Sequence, residues 1–299
     1  MKLKSLVLSI VIALLAWPSF GGPLRQRFAA RRAALEDDVA GTPRIPANVR
    51  VLHDVAYGTD SAQRLDVYIP ANAKDATVIF MVHGGGWKRG DKAMKGVVEQ
   101  KVAHWSAQGA IFVSANYRML PTDVFTQADD VARAIAFAQK NAAAWGGDRE
   151  KFVLMGHSAG AHLVALLTSA SELASRHDVQ RWLATVLLDS AALDVPAIME
   201  RRHFDLYDEP FGDDPKFWRA VSPMHQLTKA TAPVLVVCSS RRNDSTTQAR
   251  AYAAKATALG MTAVVLPVDL SHGEINKELG APSRYTNDVD AFLRKAGVR

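Results

Sequence analysis

Residues 151–163, K-F-V-L-M-G-H-S-A-G-A-H-L, constrain this chain more than any other stretch. Phe152, Val153, Leu154 and Met155 form a short continuous apolar run, the pattern of a strand buried on both faces of a parallel sheet. Gly156, His157, Ser158, Ala159 and Gly160 then read G-x-S-x-G, and the almost wholly apolar segment after them, Ala161 to Leu167, reads as an internal helix. A strand that turns sharply into a helix at a serine needs small residues two before and two after it, because the turn brings those backbones together. The pentapeptide alone also fits an ordinary strand-to-helix turn. The strand before it and the helix after it select a nucleophile, Ser158, at the carboxyl end of the sheet.

Further apolar runs place the rest of the sheet. Residues 49–57 and 65–69 read as two strands joined by the turn Gly58-Thr59-Asp60-Ser61. Residues 77–82, 110–115, 183–188, 234–238 and 263–268 read as five more. Ala128, Val131, Ile135, Ala138, Ala142 and Trp145 recur at three- and four-residue spacing, a core-facing helix stopped by Gly146-Gly147. Helices are expected over residues 245–259 and after Ser283. Strands alternating with helices predict an α/β fold: a mostly parallel eight-stranded sheet covered on both faces. Residues 191–225 interrupt that alternation with Phe204, Tyr207, Phe211, Phe217 and Trp218 among acidic residues and prolines. They are expected to form a small cap or lid insertion, the alternative being a surface excursion with its own satellite core.

At 299 residues and 48% hydrophobic composition the chain can bury one sizeable core, so a single main domain over residues 49–299 is expected. Residues 1–21 carry Lys2 and Lys4, an apolar run from Leu6 to Trp17 broken by Ser9, and small residues at Ser19 and Gly21, the features of a secretory signal peptide. That predicts a periplasmic or secreted protein without stable membrane insertion once the leader is removed. The run is shorter than the ~20 residues of a comfortable span, which makes a retained anchor the weaker alternative. Residues 22–48 read as an N-terminal tether. The net charge of +6 comes without basic runs interleaved with aromatics, so nucleic-acid binding is not indicated. Cys238 is the only cysteine, which excludes an intrachain disulfide, and it falls in an apolar run as a core residue.

A serine hydroxyl needs a base to take its proton and an acid to hold that base in one tautomer. In a sheet of this kind the order along the chain is Ser, then Asp or Glu, then His. His272, in L-S-H-G-E just past the last strand, is the expected base. Asp244, in S-S-R-R-N-D past the strand ending at Cys238, is the expected acid, with Asp189 and Asp194 as rivals after the preceding strand. H-G-G-G-W at residues 83–87 follows a strand that should neighbour the nucleophile strand. Its glycines let backbone N–H groups approach a reacting carbonyl, so Gly85, Gly86 and Ala159 are the expected oxyanion donors. His83 is expected to anchor that loop. Trp87 reads as pocket wall or as packing, and His157, beside the nucleophile, as a second substrate-binding residue. The histidines lack ligand spacing such as H-E-x-x-H, so no metal is expected, and this chemistry needs no cofactor.

With these motifs, together with N-Y-R at 116–118 and G-G-D at 146–148, the chain resembles the α/β-hydrolase superfamily over roughly residues 50–297. Its likeness is to the hormone-sensitive-lipase-like branch, which includes feruloyl and carboxyl esterases and kynurenine formamidases. The resemblance implies an α/β-hydrolase fold, a small-molecule ester substrate, and triad roles for Ser158, Asp244 and His272. It leaves three expectations: a serine carboxylesterase working through an acyl-enzyme, a formamidase-like amide hydrolase, or a hydrolase fold retained as a non-catalytic binding module. Kynurenine formamidases usually carry an aromatic where Gly86 stands, and that departure together with the leader favours the exported esterase.

Overall fold

The computed structural model describes residues 41–298; the expected leader and the tether up to residue 40 lie outside the described residues. The apolar runs form eight strands in one sheet: β1 (Val49–Ala56), β2 (Arg64–Pro70), β3 (Ala76–Val82), β4 (Ile111–Ala115), β5 (Gly147–His157), β6 (Ala184–Leu188), β7 (Val234–Ser239) and β8 (Ala263–Val268). Their spatial order is β1-β2-β4-β3-β5-β6-β7-β8, and only β2 runs against its neighbours. The expected mostly parallel, eight-stranded sheet is the one found.

The helices cover both faces, and the pleat of the strands divides the core accordingly. On one face Val78, Phe80, Leu154, Leu187 and Val236 pack against α2 (Val124–Asn141), α3 (Ala159–Ser169) and α4 (Asn243–Ala258). On the other, Ile79, Met81, Val153, Met155, Val186 and Leu235 pack against α1 (Lys95–Ala107), α5 (His272–Glu278) and α6 (Arg284–Lys295). The α2 stripe is buried as its periodicity requires, and Gly146 ends that segment with a φ of 85°. Every residue of α3 is buried, as befits a helix apolar nearly all round. Cys238 lies wholly in the core.

The sheet order positions the site. The chain leaves β3 through α1 to β4 on one side and returns through α2 to β5 on the other, so β3 and β5 are neighbours whose following loops diverge. That reversal opens a crevice at the carboxyl ends of the strands, where open α/β sheets take their ligands. The segments after β5, β6, β7 and β8 all emerge at that same edge.

Helix α1 was not anticipated. It buries Val97, Val98, Val102 and Trp105, but Lys101 and Ser106 sit on the same face and blur its stripe. Lys101 is 1% exposed. Its Nζ donates to Gly96 O at 3.0 Å and to Asn276 O in α5, with no carboxylate partner among the described residues. Burial pushes this ammonium down to about 7.

A lysine whose folded value lies below its unfolded value near 10.5 binds fewer protons folded than unfolded, so stability rises with pH between the two. Between pH 7 and pH 9 the gain is about 2 kcal/mol at 1.36 kcal/mol per unit. Urea denaturation at both pH values should show this gain in the wild type, and Lys101→Met should remove it.

Candidate active site

Ser158 stands between β5 and α3 with φ 54° and ψ −118°, a conformation that costs a side-chain-bearing residue of order 1–3 kcal/mol. Its N–H donates to Leu188 O at the end of β6, and its carbonyl accepts from His162 N in the first turn of α3. The two small residues are required by contact. A Cβ on Gly156 would lie 2.4 Å from Gly160 O, and one on Gly160 would lie 2.2 Å from Val82 O. Ser158 is thereby pressed against the end of β3 with its side chain half-buried.

The loop after β3 folds over this turn. A Cβ on Gly84 would lie 2.9 Å from the Ser158 Cβ. Gly85 and Gly86 adopt φ of 116° and 63°, and the Gly85 carbonyl accepts from Lys88 N and Arg89 N. The backbone N–H groups of Gly85, Gly86 and Ala159 have no acceptor among the described residues. His83 anchors the loop as expected: it is buried, its Nδ1 lies 2.7 Å from Gly84 O, and its ring stacks on Tyr117 at 4.9 Å.

His272 opens α5, held by a capping box in which Ser271 accepts from Glu274 N and Glu274 accepts from Ser271 N. Its Nδ1 lies 2.6 Å from Asp189 Oδ2. A carboxylate only accepts, so Nδ1 carries the proton and Nε2 keeps its lone pair. Asp189 directly follows β6, fully buried, with φ 52°. Three other donors converge on it: Ser239 N at 2.8 Å, Ser245 Oγ at 2.5 Å and Arg242 Nη1 at 2.6 Å. Burial by itself raises the Asp189 carboxyl, but the His272 hydrogen bond and charge, the Arg242 guanidinium and the Ser245 hydroxyl outweigh it and hold it well below the usual carboxylate range.

The expected acid is therefore corrected. Asp244 lies in the first turn of α4, which starts two residues earlier than expected, and its half-exposed carboxylate accepts from Arg242 Nη2 at 3.2 Å and from Ser245 N. It does not contact His272. The reason is where each loop emerges: Asp189 leaves β6 between β5 and β7, beneath His272, whereas the chain after β7 places Arg242 inward and turns Asp244 to solvent. Asp194 caps a short helix, accepting from Ala197 N, and lies 3.2 Å from His225. The missed signal is the position of Asp189 at the end of an apolar strand, where a carboxylate is buried as soon as the sheet forms.

His157 and Trp87 both lie in the core, Trp87 in the packing role that was one of its two expected readings. His157 is fully buried, with Nε2 3.0 Å from His272 O and its ring centroid 4.5 Å from that of His272. Trp87 is 3% exposed, its indole enclosed by His162, Tyr207 and Phe211. Both hold neighbours in place; neither presents a face to a substrate. Ser158 Oγ makes no hydrogen bond among the described residues, and its link to the His272 loop runs through His157.

Residues 191–225 lie over the glycine loop. A Cβ on Gly86 would meet Leu206 Cδ1 at 2.7 Å, Tyr207 and Phe211 pack on Trp87, and Glu209 pairs with Lys88. Among the described residues, no group of three or more His, Cys, Asp and Glu side chains is arranged to hold a metal ion.

Comparison with known proteins agrees with this architecture. The family model BD-FAE matches residues 65–250, the stretch that carries the glycine loop, Ser158, Asp189 and Arg242. The chain belongs to the BD-FAE family. This BD-FAE member is accordingly an α/β-hydrolase of the hormone-sensitive-lipase-like branch. It is 32% identical over 203 residues to esterase LipC of Mycobacterium tuberculosis, an alignment covering 62% of this chain and 50% of LipC. It is 28% identical over 184 residues to the kynurenine formamidase of Danio rerio, covering 61% of this chain and 60% of that protein. The chain thus spans half to six tenths of the length of these two relatives. Among solved structures, esterase B from Lactobacillus rhamnosis superposes with a TM-score of 0.70 at 22% identity, covering 91% of this chain and 95% of that one, which is a likeness of fold.

Removing one partner of a buried ion pair leaves the other uncompensated. Asp189→Ala should destabilise the protein by about 3–5 kcal/mol, and Asp244→Ala, at an exposed pair, by less than about 1 kcal/mol. Urea midpoints at pH 7 measure both.

Proposed function

We propose that this protein is a serine carboxylesterase that hydrolyses small to medium carboxylic esters through an acyl-enzyme. The observation that carries the reading is the convergence, at one sheet edge, of a strained Ser158 and a His272 whose proton is held on Nδ1 by Asp189. The esterase names among its relatives support it.

In this mechanism Ser158 Oγ attacks the ester carbonyl while His272 Nε2 takes its proton. The bond between these two forms as substrate seats the serine, since such contacts are often long before that. Negative charge on the tetrahedral oxygen is met by the free N–H groups of Gly85, Gly86 and Ala159. His272 then returns the proton to the departing alcohol, and water repeats the sequence on the acyl-enzyme. Asp189 stabilises the imidazolium and fixes its tautomer. Leu206 and the aromatic residues of the 191–225 segment act as a cap that limits the acyl group, and the 1–21 leader directs the enzyme to the periplasm or the medium.

A second reading keeps the same residues and changes the bond to an aryl formamide. The match to a kynurenine formamidase supports it. Gly86, lacking the aromatic side chain usual in that group, weighs against it.

Hydrolysis of p-nitrophenyl esters from acetate to palmitate, beside N-formylkynurenine, distinguishes the readings. A short-chain maximum, abolished in Ser158→Ala and faster than formamide turnover, is the expected result. Equal inertness of wild type and variant on both substrate classes would remove the enzymatic reading and leave a binding module.

Asp189→Asn should lower kcat by about 10⁴ through the wrong histidine tautomer. Asp244→Asn should lower it by less than about tenfold, because this carboxylate reaches His272 only through Arg242. Steady-state kinetics at one pH compare the two.

A further inference from the structure

Trp87 raises a question that the proposed mechanism does not answer. It ends the glycine loop, directly after Gly86, with φ 60°, a left-handed conformation that a tryptophan adopts only when its surroundings impose it. Three hydrogen bonds impose it. The Trp87 carbonyl accepts from Leu120 N at 2.9 Å and from Gln127 Nε2 at 3.0 Å. The indole Nε1–H donates to His162 Nδ1 at 3.2 Å, and the two rings meet edge to face at 5.5 Å between centroids.

His162 is suited to this task in a way that other core residues are not. It lies on α3 one turn beyond the nucleophile, and its own N–H donates to Ser158 O at 3.1 Å. Its side chain is fully buried, and Nε2 is 2.7 Å from Val221 O, where the 191–225 segment ends. A carbonyl only accepts, so Nε2 carries the proton and Nδ1 offers its lone pair to the indole. Burial pushes the imidazole down to about 4, so it is neutral at ordinary pH and that lone pair persists.

We infer that His162 is a positioning residue: by holding the Trp87 indole it ties the oxyanion loop to the helix that carries Ser158. The spacing between Ser158 Oγ and the Gly85 and Gly86 N–H groups is then held by one residue, whose backbone N–H meets the Ser158 carbonyl and whose imidazole meets the Trp87 indole. Its chemical consequence lies in the tetrahedral intermediate, whose oxyanion these N–H groups meet, and not in ground-state binding. This inference rests on the serine-hydrolase reading above.

The test separates the two bonds of the imidazole. In His162→Gln the amide reaches the position of Nε2 and keeps a donor for Val221 O, but the acceptor for Trp87 is lost. His162→Asn does the reverse. Measured on p-nitrophenyl butyrate with the full chain, His162→Gln should lose about 10²-fold in kcat with KM changed by less than about threefold, the loss expected for misplaced oxyanion donors. His162→Asn should retain most of kcat, whatever its thermal midpoint. Trp87→Phe should lose as much as His162→Gln, and the double variant no more than either single one, because all three break the same bond.

Either of two results overturns the inference: kcat of His162→Gln within about threefold of wild type, or losses in Trp87→Phe and His162→Gln that multiply in the double variant. Losses that follow the thermal midpoint across the Gln and Asn variants reduce His162 to a packing residue and also overturn it. Ser158→Ala runs beside these variants. Full activity in that variant, or a wild type inert on both the ester and N-formylkynurenine, overturns the serine-hydrolase reading and this inference together. A dead Ser158→Ala with kcat of His162→Gln within about threefold of wild type overturns the inference alone.

Discussion

The contact on which the rest of the structure depends is the one between the Ser158 turn and the end of β3. At Gly160 a single added carbon would fall 2.2 Å from Val82 O and 2.4 Å from His83 O, and at Gly84 it would fall 2.9 Å from Ser158 Cβ. Three backbones meet there with only hydrogens between them. That contact puts β3 beside β5, starts α3 under the glycine loop, and holds Ser158 in a conformation that an unsupported serine would leave. An internal helix follows from it: α3 is buried along its whole length because both its start and its sides are enclosed.

The second constraint is electrostatic. A buried carboxylate is tolerated only when its charge is matched and its oxygens are bonded. Asp189 meets that condition with four donors, two of them on cationic or ionisable side chains. Arg242 is the less expected of these, since its Nη1 lies 2.8 Å from His272 Nδ1 while it bonds to the same carboxylate oxygen. Asp244 accepts from the other end of the guanidinium and so keeps the arginine aligned. The neighbouring Arg241 holds the outside of the same region, bonding Asp269 at 2.7 Å through Nε and reaching Glu274 of the His272 capping box. Two adjacent arginines thus brace the β8 loop from opposite sides, one against the acid and one against the helix cap.

The 191–225 segment joins these two constraints. Val221 at its end accepts from His162, Tyr207 and Phe211 enclose Trp87, and Leu206 rests on Gly86. Its aromatic residues form part of the main core on one side of the sheet and leave Leu206 exposed above the glycine loop. The crevice therefore has a floor made by the sheet edge and a partial roof made by an insertion whose inner side chains are committed to the core.

What the sequence determined by itself is the part that depends on local pattern. Continuous apolar runs identify buried strands, and the α2 stripe identifies a core-facing helix. The glycines around Ser158 identify a turn that no other residue type fits, and the H-G-G-G-W run identifies a loop that approaches it. Ser158 and His272 were legible from local pattern: Ser158 directly follows its strand between flanking glycines, and His272 lies in the short loop after the last strand, so strand direction brings both to one edge. What only the tertiary structure decided is which carboxylate meets His272 and what the buried polar side chains near the site do. Asp189, Asp194 and Asp244 all follow Ser158 and precede His272 along the chain, and the choice falls to Asp189, which ends an apolar strand, because the order of the sheet sets β6 between the nucleophile strand and β7. Trp87, His157, His162 and Lys101 carry no periodic signal of their roles, since a side chain's partner across the core is fixed by packing between elements distant in sequence.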